Sequence, residues 1–279
     1  MGTLDEARTT GEETTFPLLN QFSLRVGSLT IPPSITIGAV SIVLGLVVWQ
    51  LVAEIFFTPF VLPSVSDVAS RIMELIGTGE LSIHIKASYL RIIIGFFFGS
   101  LLGALLGMIM GTIIHVRRLF EPLVNFLRFV PPIAWLAPVL IWFGIGETSK
   151  ILLIVYTTSF MVLLNTMAGV MAVPLNQMRA ARCFGASRLQ IFRWILFPST
   201  VPFIITGMYI GLTNSFATIV TAEMIAAQTG LGYLILVSRN FMATDTIFAG
   251  IITLGLLGLL TSRLFDFVSQ RLAWRYYLR

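Results

Sequence analysis

The chain has 279 residues, 56% of them hydrophobic and only 11% charged, and its mean hydropathy is +0.91. A soluble domain carries roughly 25% charged residues, so the composition excludes that class and indicates an integral membrane protein. All but two of the 18 basic residues are arginines, most of them in short loops or at the C-terminus, so the net charge of +5 answers to membrane orientation and need not mean nucleic acid; the lone Cys183 excludes an intrachain disulfide and a cysteine-built zinc cluster.

In chain order, residues 1–33 read as a cytoplasmic tail. The stretch MGTLDEARTTGEETTF is acidic and polar, without the basic region and short apolar core of a signal peptide. Glu6 stands where a myristoylation signal wants Ser or Thr. Crossing the hydrocarbon takes about 20 apolar residues. Five to six segments qualify: 35–57, 90–114, 123–143, 151–173, 198–221 and 248–267. Residues 34–82 hold the first of these plus an amphipathic helix. There Ser66 is the expected cap, Val68, Ile72, Leu75 and Ile76 share one face, and Asp67, Arg71 and Glu74 lie elsewhere, so the helix is expected along the outer surface.

Residues 83–270 form the core. In GFFFGSLLGALLGMIMG, Gly95, Gly99, Gly103, Gly107 and Gly111 recur every fourth residue, a groove for close approach by another helix, internal or from a second subunit. The third segment contains Val130-Pro131-Pro132, and two prolines in a row predict a break or kink. Beside it, Arg128 is either an interfacial anchor or an anion contact. The fourth segment carries Thr157, Thr158, Ser159 and Asn165, and the fifth Thr213, Asn214, Ser215, Thr218 and Thr221. Asn214, Thr218 and Thr221 share a helical face, which lines either a polar passage or an interhelical hydrogen-bonded seam. Glu223 reads as structural, paired with Arg128 or Arg239, and Gly230-Leu231-Gly232 as a turn in a partly re-entrant outer segment. Residues 271–279 close the chain as a second cytoplasmic tail.

With the N-terminus inside, twelve basic residues fall on inner segments and five (Arg71, Lys86, Arg91, Lys150 and Arg239) outside, a strong positive-inside bias. The inner side then includes RAARCFGASRLQIFRWILFP, residues 179–198, which is too polar to span and reads as helix, glycine turn, helix and re-entry. A phosphate-binding loop needs a Gly-Lys-Ser/Thr sequence; neither Lys86 nor Lys150 stands in one, so nucleotide hydrolysis is not expected of this chain. His84 and His115 lie on opposite sides and cannot share a metal. His115, beside Arg117 and Arg118, reads as interfacial, and Cys183 as a packing residue.

The 179–198 loop resembles the E-A-A-x3-G-x9-I-x-L-P motif of ABC importer permeases. Arg179-Ala180-Ala181, Gly185, Ile195 and Pro198 match its spacing, with Arg179 in place of Glu and Phe197 in place of Leu. The stretches VLPSVSDV, LRFVPPIAWLAPVLIWFGIGETSKI and IVTAEMIAAQTGLGYLI are similar to the branch that imports taurine and aliphatic sulfonates. Phe129 departs from it, since a proline often follows this arginine. The resemblance covers about residue 60 to the C-terminus, and neighbouring branches take nitrate, bicarbonate, aromatic acids or pyrimidine precursors. It implies an all-α bacterial inner-membrane protein with a type-1 permease core at 83–270. Both termini are cytoplasmic if there are six spans.

The resemblance also implies a coupling helix, with Arg179, Ala180, Ala181, Gly185, Ala186, Ile195 and Pro198 meeting an ATPase. The partners implied are a second copy of the chain, two ATP-binding subunits carrying the ATP and Mg2+, an extracytoplasmic binding protein, and lipid. Arg128, Asn165, Asn214, Thr218 and Thr221 then become candidates for the translocation path. A stand-alone secondary transporter predicts coupling carboxylates and inverted repeats, and Glu54, Glu121 and Glu223 sit near segment ends instead. A membrane enzyme needs a convergent His, Asp or Ser set, which the sequence does not supply.

Overall fold

The protein was analysed as a computed structural model, which describes residues 25–26, 29–30 and 33–277. The expectations for most of residues 1–33 and for 278–279 lie outside the described residues. Contacts divide the chain into two units, 1–66 and 67–279. In the first unit, the two-residue strands β1 (Arg25–Val26) and β2 (Leu29–Thr30) pair antiparallel, and α1 (Pro33–Phe56) follows. Val40, Ile42, Val43 and Leu44 of α1 are exposed, as expected of a lipid-facing helix. Trp49 Nε1 donates to Pro63 O at 3.2 Å after the helix ends.

The second unit is a helical bundle built on α3 (Glu80–Thr112), α6 (Glu147–Ala172) and α9 (Phe197–Ala226). The glycine groove of α3 lies against α6. A Cβ on Gly95 would stand 2.6 Å from Ile154 Cβ, on Gly99 2.7 Å from Thr158 Cβ, and on Gly111 2.6 Å from Val170 Cβ; on Gly103 it would overlap the Ser159 carbonyl oxygen. Gly107 meets Leu163 O and Thr166 in the same way. The helix that fills the groove is therefore internal. Ile92, Ile154, Leu212, Phe216 and Ile219 form a buried cluster joining the three helices.

Several expected boundaries shift. α3 begins at Glu80, ten positions before the expected residue 90, because His84, Ser88 and Arg91 find buried partners and a polar turn can therefore enter the bundle. α2 (Val65–Gly77) starts before Ser66, which lies inside its first turn instead of capping it. Of the face expected to lie along the membrane surface, Val68 and Leu75 are buried within the protein and Ile76 is 62% exposed. Arg71 is not a free polar residue, since its Nε donates to Thr246 Oγ1 at 2.8 Å at the start of α11 (Thr244–Tyr277).

The third segment is not one straight span. α4 (Ile114–Leu127) and the stretch 132–143, a 3-10 turn followed by α5 (Leu136–Phe143), meet at a 93° bend across the predicted break. Among the described residues five helices are long and apolar enough to cross a membrane, or six if the bent pair counts as one. Gly230 turns the chain at φ 126° into α10 (Leu231–Asn240), a helix where only a turn was expected.

Candidate functional site

Three regions gather the polar and exposed groups of the second unit. The first is the 175–198 loop. α7 (Leu175–Cys183) ends at Gly185, whose φ of 78° is left-handed. The Ala186 N–H donates to Ala181 O at 3.0 Å and the Gly185 N–H to Arg182 O at 2.9 Å, a Schellman closure that favours glycine. Ser187 then caps the short α8 (Arg188–Ile191) in a capping box with Gln190. A π turn at Phe192–Leu196 leads into α9 without a break, so that 188–226 run as one helix, with Pro198 directly after the π turn.

Ala181, Ala186 and Ile195 pack inward on a cluster of Met108, Val170, Val173, Ile191 and Leu196. They fix the loop to the bundle and, with Phe184, Gly185, Gln190 and Trp194, line an open groove on its surface, while Arg179 and Ala180 are exposed. The surface presented outward carries Phe184 at 91%, Leu189 at 73% and Trp194 at 68% exposure. The motif did not single out these large apolar residues. Their signal was an aromatic or Leu flanked by arginines in a loop too polar to span.

The second region is a cavity of about 290 Å³ between the break, α6 and α9. Arg128, Asn214, Thr218 and Thr221 all line it, with Thr157 and Tyr156 from α6 and apolar Ile133, Leu136, Leu153, Phe160 and Met161. Asn165 does not. Its amide donates to Met161 O at 2.8 Å, and its Cβ lies where α6 and α9 touch at Gly207.

The hydroxyls of Thr157, Thr218 and Thr221 are each within hydrogen-bond distance of the carbonyl four residues back, and Thr157 and Thr218 meet at 3.1 Å. The shared face is thus both a seam and a cavity wall. With hydroxyl protons committed to backbone carbonyls, the donors left for an anion are the Arg128 guanidinium and the second N–H of Asn214, whose first donates to Ile210 O at 2.9 Å. The guanidinium lies 4.8 Å from the Phe129 ring centroid. Among the described residues no carboxylate lies within ion-pair distance of it. Sequence reasoning missed Tyr156. It donates to Leu127 O at 2.6 Å and accepts from Trp135 Nε1 at 3.0 Å. Its pairing depends on the fold of the break.

The third region is an ionic cluster about one turn beyond the cavity, at the ends of α6 and α9 away from the 175–198 loop. Glu223, fully buried, pairs with Arg91 at 2.6 Å, not with Arg128 or Arg239 as expected. Arg91 also bonds Glu147, which takes Lys150 at 2.9 Å. Ser88 donates to Glu223, and the loop before α10 is gripped through its own N–H groups: Gly230 to His84 Nδ1 at 3.0 Å, Leu231 to Ser88 Oγ at 2.8 Å and Gly232 to Glu223 at 3.0 Å. With its charges matched and its donors used internally, the cluster is structural. The expectation failed on the partner because Arg91 was counted with an outer loop, at the edge of a segment that in fact starts ten residues earlier, at Glu80.

Comparison with known proteins follows the same outline. The family described as "Binding-protein-dependent transport system inner membrane component" matches residues 95–274. The taurine transport system permease protein TauC of Escherichia coli (strain K12) is 36% identical over 251 residues, 88% of this chain and 86% of that protein. The putative aliphatic sulfonates transport permease protein SsuC of the same organism is 36% identical over 233 residues, 83% and 87%. In three dimensions the chain is similar to the crystal structure of a bacterial ABC transporter involved in the import of the acidic polysaccharide alginate. The TM-score is 0.61 at 14% identity, covering 86% of this chain and 93% of that one, a likeness of fold alone.

Proposed function

The chain belongs to the family of binding-protein-dependent transport system inner membrane components, as the multi-pass permease subunit of an ABC importer, and from that premise we propose that it imports taurine or another small aliphatic sulfonate. The observation that carries this reading is the cavity beside the break. It offers a guanidinium without a carboxylate partner among the described residues and one amide donor, beside an apolar wall of Ile133, Leu136, Phe160 and Met161. A sulfonate group with a short carbon tail matches both halves. The names of the relatives TauC and SsuC support the same class.

In this reading Arg128, Asn214, Thr218 and Thr221 line the path, and Asn165 serves the seam behind it. The 175–198 loop is the coupling helix, inserted in a groove of an ATP-binding subunit. Its support is the motif together with exposed Phe184, Leu189 and Trp194, an apolar patch that needs a covering partner. ATP and Mg2+ belong to that partner, two of which act on two copies of this chain. An extracytoplasmic binding protein delivers the solute. Both termini lie in the cytoplasm, following the arginine bias. ATP-driven closure moves the two coupling helices, and the bent pair of helices changes which side of the cavity is open.

The test is reconstitution of the permease with its ATPase and binding protein in proteoliposomes, measuring hydrolysis and uptake with taurine, ethanesulfonate or nitrate. Stimulation by the sulfonates is expected. Stimulation by nitrate alone overturns the substrate, and full coupling in a Gly185→Glu variant overturns the docking. Full-rate import without a nucleotide-binding subunit reassigns the chain to secondary transport.

A further inference from the structure

Tyr156 reaches both sides of the break from a third element. α4 ends at Leu127, whose carbonyl accepts the Val130 N–H at 3.0 Å, and after Val130 the two prolines Pro131 and Pro132 bring no N–H to continue the ladder. At membrane depth an interrupted ladder has to be held from within the protein. The hydroxyl of Tyr156 on α6 does so, adding a second bond to Leu127 O at 2.6 Å, with Val130 O further off at 3.3 Å. Its oxygen accepts the indole N–H of Trp135, on the far side of the break, at 3.0 Å. The ring is held against Phe160, with centroids 4.9 Å apart. The enclosed stretch begins with Arg128, whose backbone continues the last turn of α4 through its N–H to Val124 O at 3.0 Å. One hydroxyl thus fixes both ends of the segment that presents the guanidinium to the cavity.

We propose that Tyr156 is a positioning residue for solute, clasping the break so that Arg128 meets the anionic group of the sulfonate. The proposal rests on reading this cavity as the sulfonate path. Tyr156→Phe keeps the ring and removes the clasp, leaving the Trp135 N–H without its acceptor and the Leu127 carbonyl with the Val130 N–H alone. The experiment is ATP-driven ethanesulfonate uptake by the reconstituted full complex, in Tyr156→Phe, Arg128→Gln and the double variant, with a detergent melting curve for each. Tyr156→Phe is expected to reduce uptake roughly 5- to 30-fold, the factor for one or two units of lost hydrogen-bond free energy. Added to Arg128→Gln, it is expected to reduce uptake little further, while shifting the melting temperature equally in both backgrounds.

A merely structural tyrosine gives the opposite pattern, the same fold-loss of uptake with and without Arg128, and that result overturns the proposal. So does unchanged uptake. If Tyr156→Phe does not assemble, Trp135→Phe removes the other half of the clasp and is expected to show the same dependence on Arg128. Wild-type complex that imports nitrate but no sulfonate removes the reading beneath the proposal. Sulfonate import with Arg128-independent loss removes the positioning role alone.

Discussion

Arg91 carries a charge into the bundle and is only 4% exposed. Desolvating a guanidinium is costly unless it is paired and hydrogen-bonded, and here two carboxylates, Glu223 and Glu147, and the Thr229 carbonyl share it. Removing the guanidinium leaves the fully buried Glu223 as an uncompensated charge, whereas Glu147 is exposed. Arg91→Met is therefore expected to destabilise the protein by roughly 3–5 kcal/mol, seen as a lower melting temperature in detergent. The exposed Arg239→Met is expected to stay within about 0.5 kcal/mol. Equal shifts for the two would show that the cluster does not hold the bundle. The sequence could suggest a structural role for Glu223, since an acid would repel an anion, but not its partner, because the residues meet across more than a hundred positions of chain and only packing brings them together.

At the scale of elements, the α3 glycines carried their meaning in the sequence, since a period of four on a helix is one face whatever lies opposite. What the face meets had to come from the fold. The expected outcome for Gly103→Ala is a loss of about 1–3 kcal/mol from overpacking against Ser159 and Val162. Gly255→Ala, with nothing within 4 Å of the added methyl, is expected to gain up to about 1 kcal/mol in helix propensity. Melting curves of the two variants check this, and a loss in both contradicts the packing argument.

The turn at Gly185 is a second element read from spacing and then given a conformation. At φ 78°, Asn is the side chain best able to replace glycine. Gly185→Asn is therefore expected to retain more solute-stimulated ATP hydrolysis than Gly185→Val, and the reverse order would dissociate coupling from loop geometry. The break at Pro131-Pro132 was legible because two consecutive prolines remove donors in any context. Its 93° angle and the hydroxyl clasp across it were not, because both depend on where α6 stands.

For the whole molecule, the division at residue 66 separates α1 from a unit with its own core. A chain lacking residues 1–57 is expected to melt within about 2–4 °C of the full chain, the shift of about 1 kcal/mol for a unit of this size. A collapse of the transition would mean that the second unit does not stand alone. By itself the sequence determined the class, the bundle of apolar helices, the place of the break and the glycine turn of the inner loop. Each of these follows from local chemistry: hydrophobic length, missing donors, absent side chains. The tertiary structure alone decided which charges neutralise one another, that Asn165 leaves the cavity while Tyr156 joins it, and that the loop turns Phe184, Leu189 and Trp194 outward. Those outcomes depend on the rotation and offset of packed helices, set by side chains far apart in the chain that no local pattern encodes.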